Sequence, residues 1–216
     1  MPLRRVADLS PRRPSAPPLV MATRNPGKLA EFRRLLRAHP WRLLSLDDAG
    51  VEGDVEEPGP GYEDNARLKA VEVCETTGLV ALGDDSGIEV EALRGWPGPR
   101  SSRWLGPDAS DRDRLRGLLD EVARRSPDDR RVRYVAVLAL ARPGADPVVA
   151  RGICEGTLVE PRGSGGFGYD PAFLSSDLGR TFGEVAAEEK DAVSHRGRAV
   201  ARLAESGVLD LPAGGP

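Results

Sequence analysis

Hydrophobic positions along this chain recur with two periods, and the two alternate. Leu19 to Ala22 is a short apolar run that reads as a buried strand. Behind it Leu29, Phe32 and Leu36 recur at helical spacing, with Asn25 placed to cap that helix and Pro26 at its first position. The acidic stretch 52–61 reads as a loop. A second helix is predicted from about Asp64 to Thr77, closed by Gly78. Leu79 to Leu82 reads as a short strand running into Gly83-Asp84-Asp85-Ser86-Gly87, and Ile88, Val90 and Ala92 alternate as a further strand. Leu115, Leu118, Leu119 and Val122 predict a helix over Asp111 to Arg125. Val132 to Ala141 and Val148 to Val159 predict two long strands joined by a Pro-Gly turn. Thr181 and Glu184 have the spacing of a capping box, and Val200 and Leu203 mark a last helix. Strands alternating with helices predict an α/β fold.

Composition narrows the class. A chain of 216 residues suits one medium domain or two small lobes. With 31 basic against 34 acidic residues the net charge is −3, which argues against broad electrostatic capture of nucleic acid. The longest apolar run, Tyr134 to Ala141, is too short to cross a bilayer. Cys74 and Cys154 are too few for a disulfide framework and lack metal-pair spacing, so a reducing cytoplasm is expected. Residues 1–18 are rich in Pro and Arg and have no apolar period. They read as a disordered extension, or as a misplaced start ahead of a chain beginning near Met21. Residues 19–210 are expected to form the folded domain, and 211–216 a tail.

Five segments carry candidate chemistry. Thr23-Arg24-Asn25-Pro26-Gly27-Lys28 joins a strand to a helix. Free N–H groups, the positive helix end and Lys28 would suit a phosphate there; an ordinary capped helix is the alternative. The Walker pattern is absent. Glu56 and Glu57 in the acidic loop, with Asp84 and Asp85 after an apolar strand, form an oxygen-only set suited to Mg²⁺ or Mn²⁺; a plain turn at Asp-Ser-Gly is the alternative. Asn65 and Lys69 share a helix face. Gly165-Gly166-Phe167-Gly168-Tyr169-Asp170-Pro171 combines close backbone approach with an aromatic that can stack on a base. Lys190 and Ser194-His195-Arg196-Gly197 concentrate donors. The chain has only three lysines, Lys28, Lys69 and Lys190, and writes Arg elsewhere. Each lysine falls inside one of these segments, as if a compact ammonium were required.

In order along the chain, these segments resemble the inosine/xanthosine triphosphate pyrophosphatase family. The resemblance rests on Thr23 to Lys28, Glu56 to Gly59, Asn65 to Ala70, Asp84 to Gly87, Gly95 to Gly98, Gly165 to Pro171 and Ser194 to Gly197, and it spans about Val20 to Leu209. Arg24 stands where that family often has a small residue.

The resemblance implies an elongated, two-lobed α/β fold. A long central mixed sheet would be flanked by helices, with the active site in the cleft between lobes and a homodimeric assembly. It implies Mg²⁺-dependent hydrolysis of ITP, dITP and XTP to monophosphate and pyrophosphate. By position, Thr23, Arg24, Asn25, Pro26, Gly27 and Lys28 would bind the triphosphate, and Lys69 would also meet phosphate. Asp85 would be the general base and a metal ligand, with Glu56 as the second metal contact. Ser86 would touch substrate, while Phe167, Gly168, Tyr169, Asp170, Lys190, His195 and Arg196 would hold base and sugar. A pyrophosphatase for other modified nucleotides, or a purine nucleotide-binding module without turnover, are the alternatives.

Overall fold

The computed structural model describes residues 16–53, 55, 59–106 and 108–210. Along the chain run β1 (Pro18–Met21), α1 (Pro26–Leu35), β2 (Arg42–Leu44), α2 (Tyr62–Thr77), β3 (Val80–Val90) and α3 (Asp111–Arg125). Then follow β4 (Arg131–Arg142), β5 (Ala145–Leu158), β6 (Phe173–Ser175), α4 (Ala187–Val193) and α5 (His195–Glu205). One six-stranded sheet has the order β2-β1-β3-β4-β5-β6. Its β2–β1–β3 half is parallel and its β3–β4–β5–β6 half antiparallel, so the sheet is mixed.

Period-two alternation sorts the core. Leu19, Met21, Leu82 and Leu138 face α1 and α5, meeting Phe32, Val200 and Leu203. Val20, Ala81, Val137 and Ala139 face the other way onto Ala66, Ala70 and Val73 of α2. Farther along the long strands, Ile88, Val90, Val132 and Tyr134 pack with Leu115, Leu118 and Val122 of α3 and with Phe173 and Phe182. That third cluster gathers around α3 and the far ends of β3 and β4.

Local chemistry sets the element ends that matter. Asn25 caps α1 by accepting the Lys28 N–H at 3.0 Å, and Pro26 opens the helix. Gly78 closes α2 with φ 67°, where a Cβ would be strained. Ser110 and Asp113 cap α3 reciprocally.

Several expectations are corrected. Residues 83–87 are not a turn after a strand. They are the middle of one continuous strand, because Gly83 through Gly87 pair with Ala139 through Val135 of β4. Ala92 belongs to a short 3₁₀ turn, Glu91–Leu93, rather than to a strand. Thr181 and Glu184 do hydrogen-bond, yet residues 182–184 form a turn and the next helix, α4, begins only at Ala187. Gly183 is instead committed to the glycine-rich loop, its N–H to the Asp170 carbonyl and its carbonyl to the Gly165 N–H. The pairing of Pro18 with Arg42 brings the ordered sheet one residue into the stretch expected to be an extension. Residues 1–15 and the tail 211–216 lie outside the described residues.

One topological feature makes the cleft. On one side β4 pairs with β3 from Ala81 to Val90, whereas on the other side β1 pairs with it only at Val80 to Leu82. The last bond on that side is from the Ala22 N–H to the Leu82 carbonyl at 2.9 Å. Farther on, the Ser101 hydroxyl accepts the Ile88 N–H at 2.9 Å. Between these points, among the described residues, no strand pairs with the β3 edge, and side chains from both faces of the strand can reach it.

Candidate active site

Two aspartates occupy that open edge, and the alternation of β3 sends them to opposite faces. Asp84, fully buried, turns toward α1 and α5. The Lys28 ammonium lies 2.8 Å from its Oδ2, the Ser86 hydroxyl donates to the same oxygen at 3.0 Å, and Arg196 Nε stands 3.5 Å from Oδ1. Burial opposes the charge of Asp84, but Lys28 and Arg196 outweigh it and hold the carboxyl well below the usual carboxylate range. Burial also lowers the Lys28 ammonium, with Asp84 pulling the other way.

Asp85 turns toward α2. Its Oδ2 accepts the Asn65 side-chain amide at 3.0 Å, and Lys69 Nζ lies 3.7 Å from Oδ1. Lys69 also donates to the Asp84 carbonyl at 3.2 Å. Close packing brings α2 this near: a Cβ at Gly83 would stand 2.2 Å from the Ala66 carbonyl oxygen. Here burial prevails, and the Asp85 carboxyl is raised above its ordinary value despite Lys69. Asn65 has a second task, its Oδ1 accepting the Gly59 N–H at 2.9 Å. The acidic loop is thereby tied to the same amide that holds Asp85. Glu56 itself lies outside the described residues.

The other end of the cleft is built on Glu31 of α1, only 4% exposed. Its carboxylate accepts Lys190 Nζ at 2.5 Å and the Arg196 guanidinium at 2.8 Å. Lys190 also reaches Asp170 Oδ2 at 2.5 Å, and Arg196 donates to the Ser86 hydroxyl at 2.7 Å. Arg196 thus links the two ends. Phe167 lies beneath both cations, its ring centre 5.0 Å from Lys190 Nζ and 5.5 Å from Arg196 Cζ. The Tyr134 ring stacks on His195 at 4.6 Å and donates its hydroxyl to Asp170 at 3.2 Å. Burial, then Arg196 and Lys190, push the His195 imidazole well below its ordinary value, so it is neutral at pH 7. Its Nδ1 is buried without a hydrogen-bond partner.

Of the residues selected from sequence, Asn25, Lys28, Asp85, Ser86, Phe167, Gly168, Tyr169, Asp170, Lys190, His195 and Arg196 line one cleft, and Lys69 stands behind Asp85. Thr23 folds back, its hydroxyl accepting the Asn25 N–H at 3.2 Å, and Pro26 is an exposed first residue of α1. Arg24 is not brought to the cleft. It turns to the loop after β2, donating to Asp47, Val51 and the Gly53 carbonyl. The Gly27 backbone is covered by the Phe167 ring. The Tyr169 hydroxyl is already engaged, donating to the Ser101 carbonyl at 2.7 Å and accepting from Trp104.

The Ham1 family profile matches residues 19–206. The chain belongs to the Ham1 family. Among relatives, the dITP/XTP pyrophosphatase of Symbiobacterium thermophilum is 48% identical over 188 residues, 87% of this chain and 93% of the relative. That of Thermus thermophilus is 46% identical over 189 residues, 87% and 90% of the two chains. A HAM1 protein from Coxiella burnetii superposes with a TM-score of 0.80 at 38% identity, covering 88% of this chain and 98% of the other. The nucleoside-triphosphatase / dITP/XTP pyrophosphatase from Mycobacterium abscessus gives a TM-score of 0.68 at 42% identity, covering 86% and 98%.

The same network holds two residues that the sequence does not single out. Glu31 reads as one more polar position on a surface helix, and Tyr134 as one more apolar position of a buried strand. Only the pairing of distant segments reveals them. The donors on β3 suit a hard divalent cation. They are carboxylate oxygens, the donor type that Mg²⁺ and Mn²⁺ take. Among the described residues no three His, Cys, Asp or Glu side chains cluster closely enough to hold a metal alone. An ion there would need phosphate or water oxygens to complete its shell, the mode Mg²⁺ favours.

Proposed function

We propose that this Ham1 protein hydrolyses noncanonical purine nucleoside triphosphates (dITP, XTP and ITP) to the monophosphate and pyrophosphate. The observation that carries this reading is the convergence of Lys28, Lys69 and the Asp84–Asp85 pair on one open strand edge, beside a cleft that Lys190 and Arg196 complete. The printed names of the relatives support it.

In this reading the triphosphate meets the start of α1, with Asn25 and Lys28, and the Lys69 side. Asp85, with Glu56, would hold Mg²⁺ or Mn²⁺, which neutralises phosphate charge when bound. Asp85 takes one proton from the attacking water as the water oxygen bonds to the α-phosphorus. The bond from that phosphorus to the bridging oxygen breaks, and pyrophosphate leaves with the electron pair. At the far end Phe167 offers a stacking face. Lys190, His195 and Arg196 offer N–H donors to the 6-oxo group of hypoxanthine or xanthine, where adenine presents a donor of its own. Such a mismatch in a buried site is strongly discriminating. The same reading carries a homodimer in the cytoplasm. Cys74 and Cys154 are buried free thiols, and among the described residues no helix is long and apolar enough to cross a membrane.

The test is a nucleotide panel with product analysis, with and without a chelator. Pyrophosphate release from dITP and XTP far above that from ATP, lost on chelation, is expected. Equal turnover of ATP, or orthophosphate as the first product, contradicts the reading.

A further inference from the structure

Gly27 lies in the first turn of α1 with an ordinary helical backbone, a position where alanine suits a helix better than glycine. Conformational freedom therefore does not explain it. The packing does. A Cβ at Gly27 would stand 2.7 Å from Phe167 Cδ1 and 2.9 Å from Cε1, closer than real Cβ atoms come to other heavy atoms, and 3.0 Å from Cγ. The Phe167 ring thus lies directly against the helix start. Its backbone is fixed from the other side, since the Phe167 N–H donates to Asp170 Oδ2 at 2.9 Å. One turn along α1 from Gly27, Glu31 clasps the two cations that stand over the same ring. Helix α1 therefore supplies both the seat of the ring and, through Glu31, the anchor for the two cations 5.0 and 5.5 Å from its centre.

We propose that Gly27 is a positioning residue for the purine base. It belongs by sequence to the phosphate-facing segment, but it acts through Phe167: the missing side chain lets the ring lie flat against α1 and so sets the plane on which a base stacks. This rests on the function proposed above. It differs from the triphosphate contact that the resemblance implies for Gly27, and the two have opposite signatures.

The test is Gly27→Ala, assayed with dITP and with inorganic tripolyphosphate as a competing inhibitor. The KM for dITP rises roughly tenfold, the loss of part of one base–aromatic stack. The kcat changes little and inhibition by tripolyphosphate does not change. In a Phe167→Ala background the same substitution adds nothing to KM. An unchanged KM in the single variant overturns the proposal. So does tripolyphosphate weakened in step with dITP, or the full penalty persisting without the ring. Calorimetric binding of dITP gives the same comparison without turnover. A wild-type protein that fails to hydrolyse dITP would therefore refute the function while the Gly27–Phe167 coupling is still measured.

Discussion

Glu31 and Arg196 are 165 residues apart in sequence and 2.8 Å apart in space. The pair joins α1, which carries Lys28, to α5, whose Arg196 also reaches Ser86 on β3. Through it the two ends of the cleft share one buried network. Burial opposes the Glu31 charge, but Arg196 and Lys190 overcome it and keep the carboxyl ionised.

Glu31→Gln keeps the shape and removes the charge. It leaves Lys190 with Asp170 alone and Arg196 without a buried counter-charge on α1. Breaking a buried pair in this way costs about 3–5 kcal/mol, and urea unfolding measures it. A loss below about 1 kcal/mol, the range of exposed pairs, would show that the clasp contributes little.

Lys69→Arg tests the lysine count. Lys69 is 6% exposed and reaches both the Asp84 carbonyl and Asp85 from α2. A guanidinium retains the charge but not the compact, rotatable head. Displacement by even 1 Å predicts a fall in kcat of about 10²-fold. Near-normal steady-state rates would make the survival of three lysines a coincidence.

His195 predicts a pH dependence of stability. In the unfolded chain its imidazole binds a proton near pH ~6.5. In the folded chain burial and two neighbouring cations prevent this until much lower pH. Stability from this source is therefore complete above about pH 6.5 and falls below it, by about 1.4 kcal/mol per pH unit. His195→Phe keeps a ring against Tyr134 and removes the slope between roughly pH 5 and 6.5. Parallel slopes for the two proteins in denaturant titrations across that window would contradict the assignment.

Short-range chemistry was legible in the sequence, and long-range pairing was not. The Asn25 cap, Pro26 and Gly78 could be read because capping depends on residues a few positions apart. The three lysines could be read because they resist a strong Arg bias. The strand reads as ending at Leu82 because Gly83-Asp84-Asp85-Ser86-Gly87 carries no apolar residue, and only its pairing with β4 over a distant register makes it strand. Its role at an open edge depends on where β1 stops, which no local pattern records. Glu31 was invisible for a related reason: a carboxylate on a helix reads as solvated until Lys190 and Arg196 arrive from the far end of the chain. Thr181 and Glu184 formed their bond but not their helix, because Gly183 holds the glycine-rich loop.

The most direct test of the central claim is Asp85→Asn, with pyrophosphate release from dITP and dITP affinity measured on the same preparation. The account predicts about a 10²- to 10⁴-fold loss of rate, the contribution of a positioned base, with nucleotide binding largely retained. A variant that releases pyrophosphate at the wild-type rate would contradict it.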